Sequence, residues 1–246
     1  MVCCTAEHRP IKSRFMNRPA VGNNPYIPTP LEHIANCVTH GLLIVPSLFA
    51  ILILLRLADS PLQFVNAVVY GLALIALFTL STSFHLLAWT GKLRSLLHFF
   101  HVCDRAVIYF FIAASYMPWL TLRDSGALGQ WVHGVTWVLA LMGTVFSCMF
   151  LDRCKRLETS LYLIMGICPS LSVFSMPCTD GLKELSIGGA VYIAGVFFFK
   201  SDGRIPFAHA TWHLFVVVGA AFHYYAVVTY LMGARHDGIA AGHSGM

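Results

Sequence analysis

The chain reads as an all-α membrane protein: a bundle of seven transmembrane helices with a cytosolic N-terminus. Three observations lead there. Of its 246 residues, 57% are hydrophobic and 11% charged, less than half the charged share of an average soluble domain. Mean hydropathy is +0.71, more apolar surface than one soluble core of this size can hide. Seven apolar runs recur along the chain, and the basic residues gather on alternate connections between them.

Residues 1–30 are polar, basic and rich in proline, and are expected to form a flexible cytosolic tail. Residues 31–232 form the helical domain. Its spans are Ile34–Leu55, Phe64–Trp89, Leu96–Leu120, Trp131–Leu151, Leu157–Phe174, Leu185–Phe199 and Phe207–Leu231. Five of these are long enough to cross roughly 30 Å of hydrocarbon at about 1.5 Å per residue. The fifth and sixth are shorter, and the sixth, confined between Glu184 and Lys200, is the weakest of the seven. Residues 233–246 are expected as a short lumenal or extracellular tail. The cysteines are scattered, without zinc-finger spacing.

Orientation follows from lysine and arginine. The tail (Arg9, Lys12, Arg14, Arg18) and the loops after spans two (Lys92, Arg94), four (Arg153, Lys155, Arg156) and six (Lys200, Arg204) carry eleven. The opposite side carries four: Arg56, Arg123, Lys183 and Arg235. That bias puts the N-terminus in the cytosol. It argues against a G-protein-coupled receptor, although Asp104-Arg105 resembles the Asp-Arg pair closing the third helix of those receptors. Here the pair lies near the start of the helix, and the N-terminus lies inside.

Polar groups at membrane depth are costly and tend to be functional. Asp104 is the one acid well inside a span. His209 and His213 lie four residues apart, on one helix face. Measured from the cytosolic markers Lys92, Arg94 and Arg204, His85, Asp104, His209 and His213 lie roughly 10, 15, 8 and 14 Å deep. Three helices thus bring polar side chains to a similar level. Two imidazoles at this spacing suit one metal ion, and His85 is placed to be the third ligand. Three histidines with a fourth position for water is the pattern of catalytic zinc. Asp104 would hydrogen-bond that water or accept its proton. Ser81, one turn before His85, would orient a ligand or a substrate carbonyl. His101 is the reserve ligand. His223, roughly 15 Å beyond His213, lies too far to share the ion. Each histidine also has a plain reading, as a hydrogen-bonded packing residue.

At the entrance to the first span, Glu32, Asn36 and His40 recur every four residues. Thr29-Pro30-Leu31-Glu32 reads as a capping box, so Glu32 has a structural role available. Asn36 and His40 are expected to support the polar cluster through interhelical hydrogen bonds.

These motifs, Glu32-x3-Asn36-x3-His40, Ser81-x3-His85 with the later Asp104, and His209-x3-His213, resemble the three signatures of the progestin and adipoQ receptor (PAQR) family, which includes the haemolysin III proteins. The stretches VIYFFIAASYMPWL (Val107–Leu120) and FFKSDGRIPFAHATWHLF (Phe198–Phe215) resemble its monocyte-to-macrophage differentiation factor branch. The resemblance runs from about Arg14 to Met232 and thins between Arg123 and Thr179. It implies a seven-helix fold with zinc near the cytosolic face, held by His85, His209 and His213, with Asp104 on the water. It also implies Golgi or late endosomal and lysosomal membranes, and Ras-linked signalling there.

Two functions fit. One is a signalling receptor or scaffold in which zinc is structural. The other is a zinc-dependent hydrolase of a sphingolipid amide, ceramidase-like, with Asp104 relaying the proton and Ser81 steadying the oxyanion. The expected partners are membrane lipids, a lipid ligand or substrate, and a cytosolic signalling protein. No nucleic-acid partner is expected.

Overall fold

A computed structural model of the chain describes residues 14–21, 25–151, 153–174 and 176–233. The first part of the basic tail and residues 234–246 of the carboxy-terminal tail lie outside the described residues. Seven helices follow in order: α1 (Pro30–Leu57), α2 (Pro61–Thr90), α3 (Arg94–Leu122), α4 (Gly126–Phe150), α5 (Lys155–Phe174), α6 (Leu182–Phe199) and α7 (Ala208–Tyr230).

The local chemistry explains the boundaries. Thr29 and Glu32 close a capping box over α1, with Pro30 in the first turn, where its missing N–H is no loss. Ser60 accepts from the Gln63 amide (3.2 Å) to cap α2, again with proline at the start. Gly91 ends α2 in the left-handed region (φ 62°), a conformation a Cβ would strain. Connections are short, so sequential helices pack antiparallel. α3 packs against α2, α4 and α5, whereas α3 and α7, like α5 and α6, barely meet.

Six of the helices are long and apolar enough to cross a membrane, which makes this a multi-pass membrane protein. The exception is α5, not α6. Helix α6 extends back to Leu182, one turn beyond the apolar run, so Lys183 and Glu184 sit at its open end. Helix α5 instead starts on Lys155, Arg156 and Glu158.

The two ends of the bundle are tied separately. At the N-terminal end, Phe15 packs on Phe207 (ring centroids 6.3 Å apart), and Lys200 Nζ donates to the Lys155 carbonyl (3.3 Å). Part of the N-terminal segment contacts the start of α1. The Asn17 amide donates to the Tyr26 hydroxyl (3.0 Å), which donates to Glu32 Oε2 (2.9 Å). Burial and the Glu32 carboxylate push the Tyr26 phenol above its usual range, which keeps it a donor. At the opposite end, Gln63 Nε2 donates to the Gly233 carbonyl (3.1 Å) and Arg123 to the Cys178 carbonyl (3.0 Å).

Small residues let the helices close up. Gly71 of α2 lies under Ile51 of α1, and a Cβ at Gly219 of α7 would stand 2.8 Å from the Tyr192 ring of α6. Trp119 and Tyr70 are fully buried between them.

Candidate metal centre

His209 and His213 occupy the first turns of α7. Phe207, at φ 56°, turns the chain sharply into that helix. His85 comes from the last turns of α2; α2 and α7 each pack on α1, and their histidine side chains reach each other across the gap. The three rings pack edge to face. Their centroids lie 4.8 Å (His209–His213), 5.1 Å (His85–His213) and 5.2 Å (His85–His209) apart. One nitrogen from each lies within 4.8 Å of the other two. His85 and His213 are buried, and His209 is partly exposed.

The hydrogen bonds around the rings decide which nitrogen is bare. Thr39 Oγ1 gives its single proton to the carbonyls of Ala35 (2.9 Å) and Asn36 (3.1 Å). It can therefore only accept from His213 Nδ1, 3.0 Å away. His209 Nδ1 faces Asp202 Oδ2 at 3.5 Å, and a carboxylate also only accepts. Asn36 Nδ2 stands 3.5 Å from His85 Nδ1; an amide N–H only donates, so His85 Nδ1 carries the proton only when the carboxamide turns to present Oδ1, which has no partner among the described residues. On His209 and His213, Nδ1 faces an acceptor and Nε2 keeps its lone pair. His85 Nε2 is buried and has no hydrogen-bond partner among the described residues. Metal-ligating histidines are held this way, by a carbonyl, carboxylate or hydroxyl behind the ring. Three neutral imidazoles aimed together suit zinc, and so the residues fit the ion.

Thr39 and Asp202 were not among the residues picked out from the sequence. Thr39 follows Asn36 by three residues and so shares its face, where a hydroxyl was legible. Asp202 lies in the α6–α7 loop, outside the spans that were searched for acids. Thr39→Val removes the oxygen that orients His213 while keeping its shape. Zinc affinity is expected to fall about tenfold or more, with helical content unchanged. Competition with a chelator measures it, and an unchanged affinity would mean something else holds the ring.

The other expected residues divide. Asn36 stands behind His85. His40 stacks flat on His213, with centroids 3.7 Å apart, and its ring edge meets Phe78 (5.3 Å). Both its nitrogens lack partners among the described residues, and it is not one of the three converging ligands. Glu32 takes part in the cap. Its Oε2 accepts from the Thr29 amide at 2.8 Å, so this carboxylate does not enter the cluster. His101 stacks on Phe84 (4.5 Å) and is not brought into the cluster.

Asp104 and Ser81 border a cavity of about 470 Å³ together with His40, His209 and His213. The Ser81 hydroxyl is buried. Its neighbour is the Asp104 carboxylate, which also lies within electrostatic reach of His209 and Arg105. Beyond this polar end, Leu77, Ile108, Phe111, Ile193 and Val216 line an apolar wall.

A family model described as haemolysin-III related matches residues 30–224. The chain is 51% identical over 225 residues to the monocyte to macrophage differentiation factor of Homo sapiens, covering 91% of this chain and 94% of that protein. Identity to the Rattus norvegicus protein of the same name is 50% over the same length. Hemolysin-3 of Bacillus cereus is 32% identical over 207 residues, covering 82% of this chain and 92% of its own.

Proposed function

The chain belongs to the haemolysin-III related family of membrane proteins, and from that membership we propose that it is a zinc-centred receptor or scaffold whose cavity takes a lipid. The observation that carries this is the set of three histidines with converging ring nitrogens, two of which, His209 and His213, line an apolar cavity. His85, His209 and His213 would hold the ion, which would link α2 to α7 and supply Lewis acidity to a polar headgroup. Arg153, Lys155, Arg156, Lys200 and Arg204 form a basic cytosolic face that meets anionic lipid or a signalling protein. The resemblance to PAQR proteins favours Golgi or late endosomal and lysosomal membranes, and a Ras-linked output.

A second reading, lipid amide hydrolysis, is favoured by one observation: Asp104 and Ser81 border the same cavity beside the histidines. In that reading Asp104 accepts the proton lost by water during attack on the amide carbonyl and returns it to the leaving nitrogen. The Ser81 hydroxyl, which neighbours Asp104, donates to the carbonyl oxygen as charge develops there.

Asp104→Asn separates the two. The variant is expected to keep its zinc, because Asp104 is not a ligand. As a receptor, the parent chain releases no fatty acid from a ceramide, and the variant binds lipid like the parent. Fatty-acid release by the parent, slowed about 10²–10⁴-fold in Asp104→Asn, would overturn the receptor reading and establish the hydrolase.

A further inference from the structure

Glu32 opens the first of the three motifs, yet it lies outside the histidine cluster. Its carboxylate does more than close the cap on α1. Oε2 accepts from the Thr29 amide (2.8 Å) and also from the Tyr26 hydroxyl (2.9 Å). The Tyr26 oxygen in turn accepts from the Asn17 amide (3.0 Å), and Asn17 Nδ2 donates to the Ile27 carbonyl (2.9 Å). Asn17 is thus held by both its backbone and its side chain, and the anchor is the first turn of α1.

Around that anchor, residues 14–21 lie against the loop between α6 and α7. Phe15 packs on Phe207, just ahead of His209 (ring centroids 6.3 Å apart). Pro19 lies on Gly203. A Cβ at Gly203 would stand 2.6 Å from both Cα and N of Pro19 and 3.0 Å from the carbonyl carbon of Arg18. These are backbone atoms, so no change of rotamer could relieve the clash. Gly203 is buried, with φ 75°, and glycine alone suits both that conformation and that approach. The loop itself is tightly wound, since the Arg204 and Ile205 amides both donate to the Ser201 carbonyl (2.9 and 3.0 Å). What bears on Gly203 is therefore carried to Asp202, its neighbour in the chain.

The three rings of the metal centre are supported unequally. Thr39 and Asn36, behind His213 and His85, are part of α1. Asp202, behind His209, is in a loop, and loops move more than helices. Its Oδ2 stands 3.5 Å from His209 Nδ1, the limit of a hydrogen bond, so a small displacement of the loop loses it. His209 is also the partly exposed member of the three. The least secure support of the site is the one that the N-terminal segment touches.

We propose that residues 14–21 are a positioning strap for the metal centre. Anchored to Glu32 through Tyr26, they press on the α6–α7 loop and hold Asp202 behind the His209 ring. The first motif thereby acts on the third. This rests on the reading that the three histidines hold zinc.

The test follows zinc loss from the full chain in nanodiscs, with a chromogenic chelator in excess. Asp202→Ala is expected to speed dissociation about tenfold or more. Tyr26→Phe keeps the ring and removes the hydroxyl that joins Asn17 to Glu32. It is expected to speed dissociation about fivefold, as the loss of one net hydrogen bond would. In the double variant the two effects do not multiply, and the rate matches that of Asp202→Ala alone, because the strap acts through Asp202. A merely structural role for Tyr26 would multiply. Should Tyr26→Phe fail to fold, Phe15→Ala, a change at a half-exposed ring, is expected to show the same dependence on Asp202. Unchanged rates in both strap variants, or effects that multiply with Asp202→Ala, would overturn the proposal and leave the metal centre intact. A parent chain that binds no zinc would overturn both.

Discussion

His209→Ala is expected to yield a protein without its metal. The parent chain, purified in detergent, should carry about one zinc per molecule by elemental mass spectrometry, as a three-histidine site holds a single ion. The variant should carry none, because two imidazoles from His85 and His213 leave the ion short of a ligand. The loss should also appear as stability. An ion bound to the folded state alone stabilises by RT ln(1 + [L]/Kd), about 4 kcal/mol at a thousandfold excess over Kd. His85 lies on α2, and His209 and His213 on α7, so the ion staples two helices that are far apart in sequence. Removing zinc from the parent with a chelator should lower its unfolding temperature by a similar amount and leave His209→Ala unmoved. A well-folded parent without metal would sink the zinc centre. It would leave Thr39, Asp202 and Asn36 as interhelical hydrogen-bond partners of three packing histidines.

Arg105→Leu is expected to be among the most destabilising single changes away from the three histidines. Arg105 Nη1 stands 3.6 Å from Glu158 Oε2, and the two side chains are 17% and 6% exposed. The guanidinium lies over the Phe199 ring at 5.1 Å. The Tyr162 hydroxyl bridges the same pair, at 3.2 Å from Glu158 Oε1 and 2.9 Å from the Arg105 carbonyl. Removing one partner of a buried pair leaves the other charge desolvated, at a cost of about 3–5 kcal/mol. The double variant Arg105→Leu with Glu158→Leu is expected to recover much of that loss, because the orphaned carboxylate goes as well. Thermal unfolding of the two variants in detergent measures it. Equal stabilities for the single and double variants would mean that the pairing is not what holds α3 to α5 here. Lys200, beside this pair, is held below the usual lysine range by burial and by the Arg105 charge.

These two sites differ in how legible they were. The histidines could be matched in advance because depth along a membrane helix follows from counting residues at a fixed rise from a charged end. His85, His209 and His213 share one level for that reason. Arg105 and Glu158 could not be paired that way. Which helices are neighbours, and how each is rotated about its axis, cannot be read from hydropathy. The Asp104-Arg105 dipeptide looked like a unit in the sequence, yet its two side chains serve different neighbours, Ser81 and Glu158.

Composition and apolar run length were enough, on their own, for a bundle of apolar helices, because partitioning into hydrocarbon acts on each segment separately. They were also enough for Glu32 as a cap, since capping is local. Only the tertiary structure decided the rest. It stacked His40 on His213 and kept it out of the converging set. It brought Thr39 and Asp202 behind the rings, and it made α5 rather than α6 the exception among the spans. All of these depend on contacts between helices, where a rotation of one residue, about 100°, exchanges one partner for another while leaving every apolar run unchanged.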